Sequence, residues 1–94
     1  MSLQTAADIT VLISSPSSSS ERRVSPSWTI STLKQKLFPI TGIPASSQRL
    51  TLRVAHVPQP IPMAADDEDA VQLAAYPLVK YAEIHVRFPG GGGG

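Results

Sequence analysis

The stretch Thr29-Ile30-Ser31-Thr32-Leu33-Lys34-Gln35-Lys36-Leu37-Phe38-Pro39 decides the fold, because it is the clearest helix in the chain. Ile30, Leu33 and Leu37 recur at helical spacing, so one face is apolar. Thr29 is placed to cap the N-terminus, since its hydroxyl can accept from a free amide of the first turn. Lys34 and Lys36 are expected to turn toward solvent. Pro39 is expected to end the helix near Phe38, because proline has no amide hydrogen to donate.

Outward from this helix the pattern changes to strands. Ile9-Thr10-Val11-Leu12-Ile13 is β-branched at four of five positions and stops at Ser14-Ser15-Pro16, with Ile9, Val11 and Ile13 on one face. Pro16 to Ser20 reads as a flexible hairpin loop, leading to a second strand around Glu21 to Ser25 in which Arg22 falls on the side of Val24. After Gly42-Ile43-Pro44, the segment Gln48 to Val54 alternates, turning Leu50, Leu52 and Val54 inward. Val57 to Pro62 carries three prolines and reads as an extended loop rather than a central strand. The acidic run Asp66 to Asp69 is placed to cap a short helical turn, with Val71 and Leu73 as its buried contacts. Glu83 to Phe88 alternates again, with Ile84 and Val86 inward.

Hairpin, helix, strand, loop, turn and strand, in that order, describe an α+β β-grasp: a four-stranded mixed sheet on one main helix, its first and last strands parallel at the centre.

Composition sets the limits. The chain has 94 residues, 41% of them hydrophobic, a formal charge of +1 and no cysteine. That suits one small domain and excludes disulfide scaffolds, thiolate zinc sites and cysteine nucleophiles. Five of the six glycines end the chain. The expected organisation is a flexible leader at 1–7, a folded domain at 8–89 and a Gly-rich linker at 90–94. Charge this balanced gives no field to hold a nucleic acid. No apolar run approaches the ~20 residues of a membrane span. A cytoplasmic, monomeric domain is expected.

Several local patterns resemble ubiquitin: Val24-Ser25-Pro26-Ser27-Trp28-Thr29-Ile30 running into Lys34 and Lys36, Gly42-Ile43-Pro44 before Gln48-Arg49-Leu50, and Leu73-Ala74-Ala75-Tyr76 before Ile84-His85-Val86. A narrower set is similar to the N-terminal ubiquitin-like domain of the tubulin-folding cofactor B family. It comprises Ile13-Ser14-Ser15, Glu21-Arg22-Arg23, Leu33-Lys34 with Lys36-Leu37, Pro44-Ala45-Ser46, Asp66 to Asp69 with Tyr76-Pro77, and Ile84-His85-Val86. The chain departs from that family at Tyr81-Ala82, where members carry a glycine, at Arg87-Phe88, where members carry an acidic residue, and at Pro58 to Pro62. The resemblance implies a non-catalytic protein-binding module of a chaperone of the microtubule cytoskeleton, with α-tubulin and cofactor E as partners. It also implies a CAP-Gly domain elsewhere in a longer protein. Fold alone does not settle function. Two other ubiquitin-like classes stay open, a modifier conjugated through its terminal Gly-Gly and a shuttle domain presented to the proteasome.

The resemblance places ubiquitin's apolar recognition patch at Thr51, His85 and Arg87, of which only the histidine is kept. Strand parity puts Arg49, Thr51, Arg53, His85 and Arg87 on one outward, mildly basic face, a candidate surface for an acidic partner. No catalytic, cofactor or metal residues are expected. His56 and His85 are too few for a zinc site and sit in no nucleophile pattern. The run Asp66 to Asp69 lacks the glycine and terminal glutamate of a calcium loop. Trp28 is expected to staple the helix start, and Tyr76 to anchor a turn with its hydroxyl bonded to nearby backbone.

Overall fold

Ile9–Ser15 forms β1 and Ser18–Val24 forms β2. In this structure, a computed structural model, residues 8–16 and 18–88 are described. The leader at 1–7, Pro89 and the glycines at 90–94 lie outside them. The two strands pair antiparallel, from Ile9 opposite Val24 to Ser15 opposite Ser18. The serine tract expected as a loop is therefore mostly strand, and the chain reverses between Ser15 and Ser18, whose hydroxyls lie 2.9 Å apart. The reason is physical: ladder bonds are made by backbone, so β1 can recruit serines that have nothing to bury. Along β2 only Val24 is buried, and Arg22 stays exposed.

The helix α1 spans Ile30–Thr41. Thr29 caps it as expected, accepting the Thr32 amide at 3.1 Å. Replacing Thr29 with alanine should lower the unfolding free energy by about 1 kcal/mol, read from urea unfolding. Ile30, Leu33 and Leu37 are buried as expected. The end differs from the expectation, because the helix runs through Pro39 to Thr41. Proline's fixed φ suits a helix, and its missing amide costs one backbone bond, with the chain needing only two further residues. The following groups recover the turn: Thr41 donates its hydroxyl to the Leu37 carbonyl at 2.9 Å, and the Gly42 amide donates to the Phe38 carbonyl at 2.7 Å. Gly42 stops the helix with φ +76°, a conformation glycine adopts without strain.

Three more strands follow: β3 (Arg49–Arg53), β4 (Ile61–Pro62) and β5 (Glu83–Arg87). The sheet order is β2-β1-β5-β3-β4, with β1 and β5 parallel. The β-grasp is as expected, but the sheet has five strands rather than four. The added strand lies inside the proline-rich segment. Pro62 is tolerated because β4 is an edge, and the pairing is extended by the Met63 amide, which donates to the Leu50 carbonyl at 3.0 Å.

The core lies between sheet and helix. Val11 and Ile13 of β1, Leu50 and Leu52 of β3, and Ile84 and Val86 of β5 are buried with Ile30, Leu33 and Leu37. Val54, Met63 and Leu73 are buried with them, and Val71 is half-buried. The segment 68–73 crosses the start of the helix, where Ser31 donates to the Glu68 carbonyl and Ile30 to the Val71 carbonyl.

Candidate protein-interaction face

The register of β3 against β5 sets the outer face. Arg49 lies opposite Arg87, Thr51 opposite His85 and Arg53 opposite Glu83, while Leu50–Val86 and Leu52–Ile84 are the pairs between. Those two pairs are buried, so the alternate positions point away from the helix. All five residues expected on the basic face are brought together there. Arg49, Arg53 and Arg87 are exposed, and Thr51 and His85 are half-buried.

Two residues of this face were not anticipated. Ser14 of β1 pairs with His85, and its hydroxyl donates to the Glu83 carboxylate at 2.6 Å. The same oxygen lies 2.9 Å from His85 Nδ1. A carboxylate only accepts, so the serine proton points to Glu83, and Nδ1–H of His85 donates to Ser14. The imidazole is thereby held with Nε2 directed away from β1. Glu83 shares the parity of His85 and Arg87, so alternation could have found it. Ser14 could not be found that way, because its place depends on the parallel β1–β5 register.

Beside Arg49 and Arg87 the surface sinks into a groove of about 380 Å³, lined also by Gln48, Pro62, Met63 and Lys34. Lys34 corrects an expectation. Instead of facing solvent it is buried, its ammonium 2.8 Å from the Glu68 carboxylate. That partner sits 34 residues away on the crossing segment. Gln48 is 3% exposed and donates both amide hydrogens, to the Lys34 and Ile43 carbonyls, each at 2.8 Å. Among the described residues its Oε1 is buried without a partner. The side chain thus ties the body of α1 and the turn after it to the start of β3. Gln48→Leu, which removes both bonds and leaves the Ile43 carbonyl without this donor, should cost about 1–2 kcal/mol in urea unfolding.

The acidic run behaves differently from expectation. Asp67 accepts the Asp69 amide at 3.1 Å and so caps a tight turn at 67–70. Glu68 is taken by Lys34. The short 3-10 turn at Leu73–Ala75 begins at Gln72, with no side-chain cap. Trp28 packs half-buried against the core, its ring 5.1 Å below the Lys36 ammonium. Tyr76 also packs there, but its hydroxyl has no hydrogen-bond partner among the described residues, correcting the expected anchor bond. His56 is exposed on the turn after β3. Among the described residues no cluster of three metal-ligating side chains occurs, and no helix is long and apolar enough to cross a membrane.

A family model described as the ubiquitin-like domain matches residues 8–87. The chain belongs to that family. This ubiquitin-like domain is 39% identical over 79 residues to the cell polarity protein alp11 of Schizosaccharomyces pombe, a match covering 84% of this chain. It spans about a third of the length of that relative, 34%. Among solved structures it is similar to the C-terminal ubiquitin-like domain of mouse tubulin-specific chaperone e, with TM-score 0.75, 20% identity and coverage of 93% and 92% of the two chains. It is also similar to the N-terminal ubiquitin-like domain of tubulin-binding cofactor B from Drosophila melanogaster, with TM-score 0.68, 22% identity and coverage of 88% and 86%. At such identities the likeness establishes the fold. The expected resemblance to ubiquitin-like domains of tubulin cofactors is borne out by these neighbours.

Proposed function

We propose that this ubiquitin-like domain is the protein-binding module of a tubulin-folding cofactor of the B type, carrying out no chemistry itself. It acts with cofactor E on α-tubulin in assembly or disassembly of the tubulin heterodimer, in the cytoplasm and in association with the cytoskeleton. The folded unit formed by the described residues, 8–16 and 18–88, acts as a monomer. The reading is supported by the names borne by the structural neighbours together with the character of the outer face. The observation that carries it is the β3–β5 register, which places Arg49, Arg53 and Arg87 on one rigid surface around Thr51 and His85. Such a face lacks the desolvated apolar centre of ordinary ubiquitin recognition and instead favours an acidic surface.

A preformed sheet face binds with little ordering of backbone, so charge complementarity sets encounter and orientation. Fluorescence anisotropy of the labelled chain against tubulin and against cofactor E should show binding to at least one. That binding should weaken markedly as ionic strength rises from about 0.05 to about 0.3 M, where screening shortens to a few ångströms. Absence of binding to both, or binding indifferent to salt, contradicts the proposal.

A further inference from the structure

The charges of the outer face are unequally balanced. Arg53 stands opposite Glu83, an opposite-charge cross-strand pair. Arg49 stands opposite Arg87, so two like charges face each other with side-chain roots about 5 Å apart, an arrangement that costs stability in a sheet. The third cation of the adjoining groove, Lys34, is already paired with Glu68 at 2.8 Å. Among the described residues none of Arg49, Arg53 and Arg87 forms an ion pair or a side-chain hydrogen bond, but only Arg53 has a carboxylate opposite it in register. The two guanidinium groups thus share one unanswered demand for an anion, at the mouth of a groove with Pro62 and Met63 in its wall.

We propose that Arg49 and Arg87 form a clamp for a single carboxylate of an acidic peptide segment on the partner, whose backbone then lies in the groove beside Pro62 and Met63. The inference rests on the reading of the basic face as a docking surface and narrows that face to one end. A carboxylate offers two oxygens and about four acceptor sites, so it can take a forked bond from each guanidinium. One row down the sheet, the His85 ring, held at Nδ1 by Ser14, lies beside the path of the peptide. Arg53, which faces the Glu83 carboxylate across the strands instead of a second cation, contributes less.

The probe is N-acetylated hexaglutamate, titrated into the isotope-labelled chain and followed by nuclear magnetic resonance, with inorganic phosphate as a second probe. Signals of Gln48, Arg49 and Arg87 are expected to respond first. R49Q and R87Q should each weaken the peptide about fivefold, whereas R53Q should change it by about twofold or less. The clamp is overturned if R53Q costs as much as the other two, if the responses centre elsewhere, if no response occurs, or if phosphate binds more tightly than the peptide. Binding of tubulin and cofactor E to the same variants separates the two levels. Partner binding untouched by R49Q, R87Q and R53Q alike defeats the docking reading and with it the clamp's role on the partner, whereas partner binding lost equally with R53Q keeps the docking face and defeats the clamp.

Discussion

Ile84→Ala is expected to lower the unfolding free energy by about 3–4 kcal/mol, the largest stability effect of any single truncation considered for this domain. Ile84 is fully buried on β5, the central strand of the sheet. In register it lies between Ile13 of β1 and Leu52 of β3, both buried. Losing three carbons there opens a void beneath α1 that neighbours fixed in three strands cannot collapse to fill. A domain of this size has about 5–10 kcal/mol in total, so the variant should keep its fold with roughly half the margin. Its thermal midpoint should fall by about 15–25 °C, at several degrees per kcal/mol. A loss below about 1 kcal/mol in urea unfolding contradicts the placement of β5 at the centre of the core.

Reversing both Arg49 and Arg87 to glutamate should reduce the affinity for tubulin or cofactor E about 30-fold, near 2 kcal/mol, with much of the change in the association rate. The double variant should unfold within about 0.5 kcal/mol of the parent chain, because both positions are exposed and the like-charge opposition is merely changed in sign. The single reversal R49E separates stability from binding. It sets a glutamate opposite Arg87, converting repulsion into attraction across the strands, and should stabilise the fold by a few tenths of a kcal/mol while weakening the partner. Stability and affinity moving in opposite directions is the signature of a site kept for binding. Equal partner affinity in parent and double variant, by anisotropy titration, defeats the docking face.

Periodicity alone made α1, the buried faces of β1, β3 and β5, and the shared parity of Arg49, Thr51, Arg53, His85 and Arg87 readable, because each is a property of one segment. What escaped depends on a second segment. Ser18 to Ser20 have no strand character of their own and become strand because β1 offers them a ladder. Pro39 stays helical because Thr41 and Gly42 supply the bonds that close the last turn. β4 exists through two residues of pairing to β3, too short to leave a pattern. Lys34 reads as a solvated lysine until Glu68 is brought across it. At the face itself, parity placed the arginines on one side, but only the antiparallel register shows that Arg49 confronts Arg87 while Arg53 confronts Glu83. Likewise the link from His85 through Ser14 to Glu83 needs the parallel pairing of β1 with β5.

The most direct measurement is a titration of the nitrogen-15-labelled chain with tubulin and with cofactor E, following the amide signals residue by residue. The account predicts that for a binding partner the earliest and largest changes fall on Arg49 to Arg53 and Glu83 to Arg87, with β2 and the exposed side of α1 little affected. Changes centred on β2 or α1, with β3 and β5 silent, would contradict it.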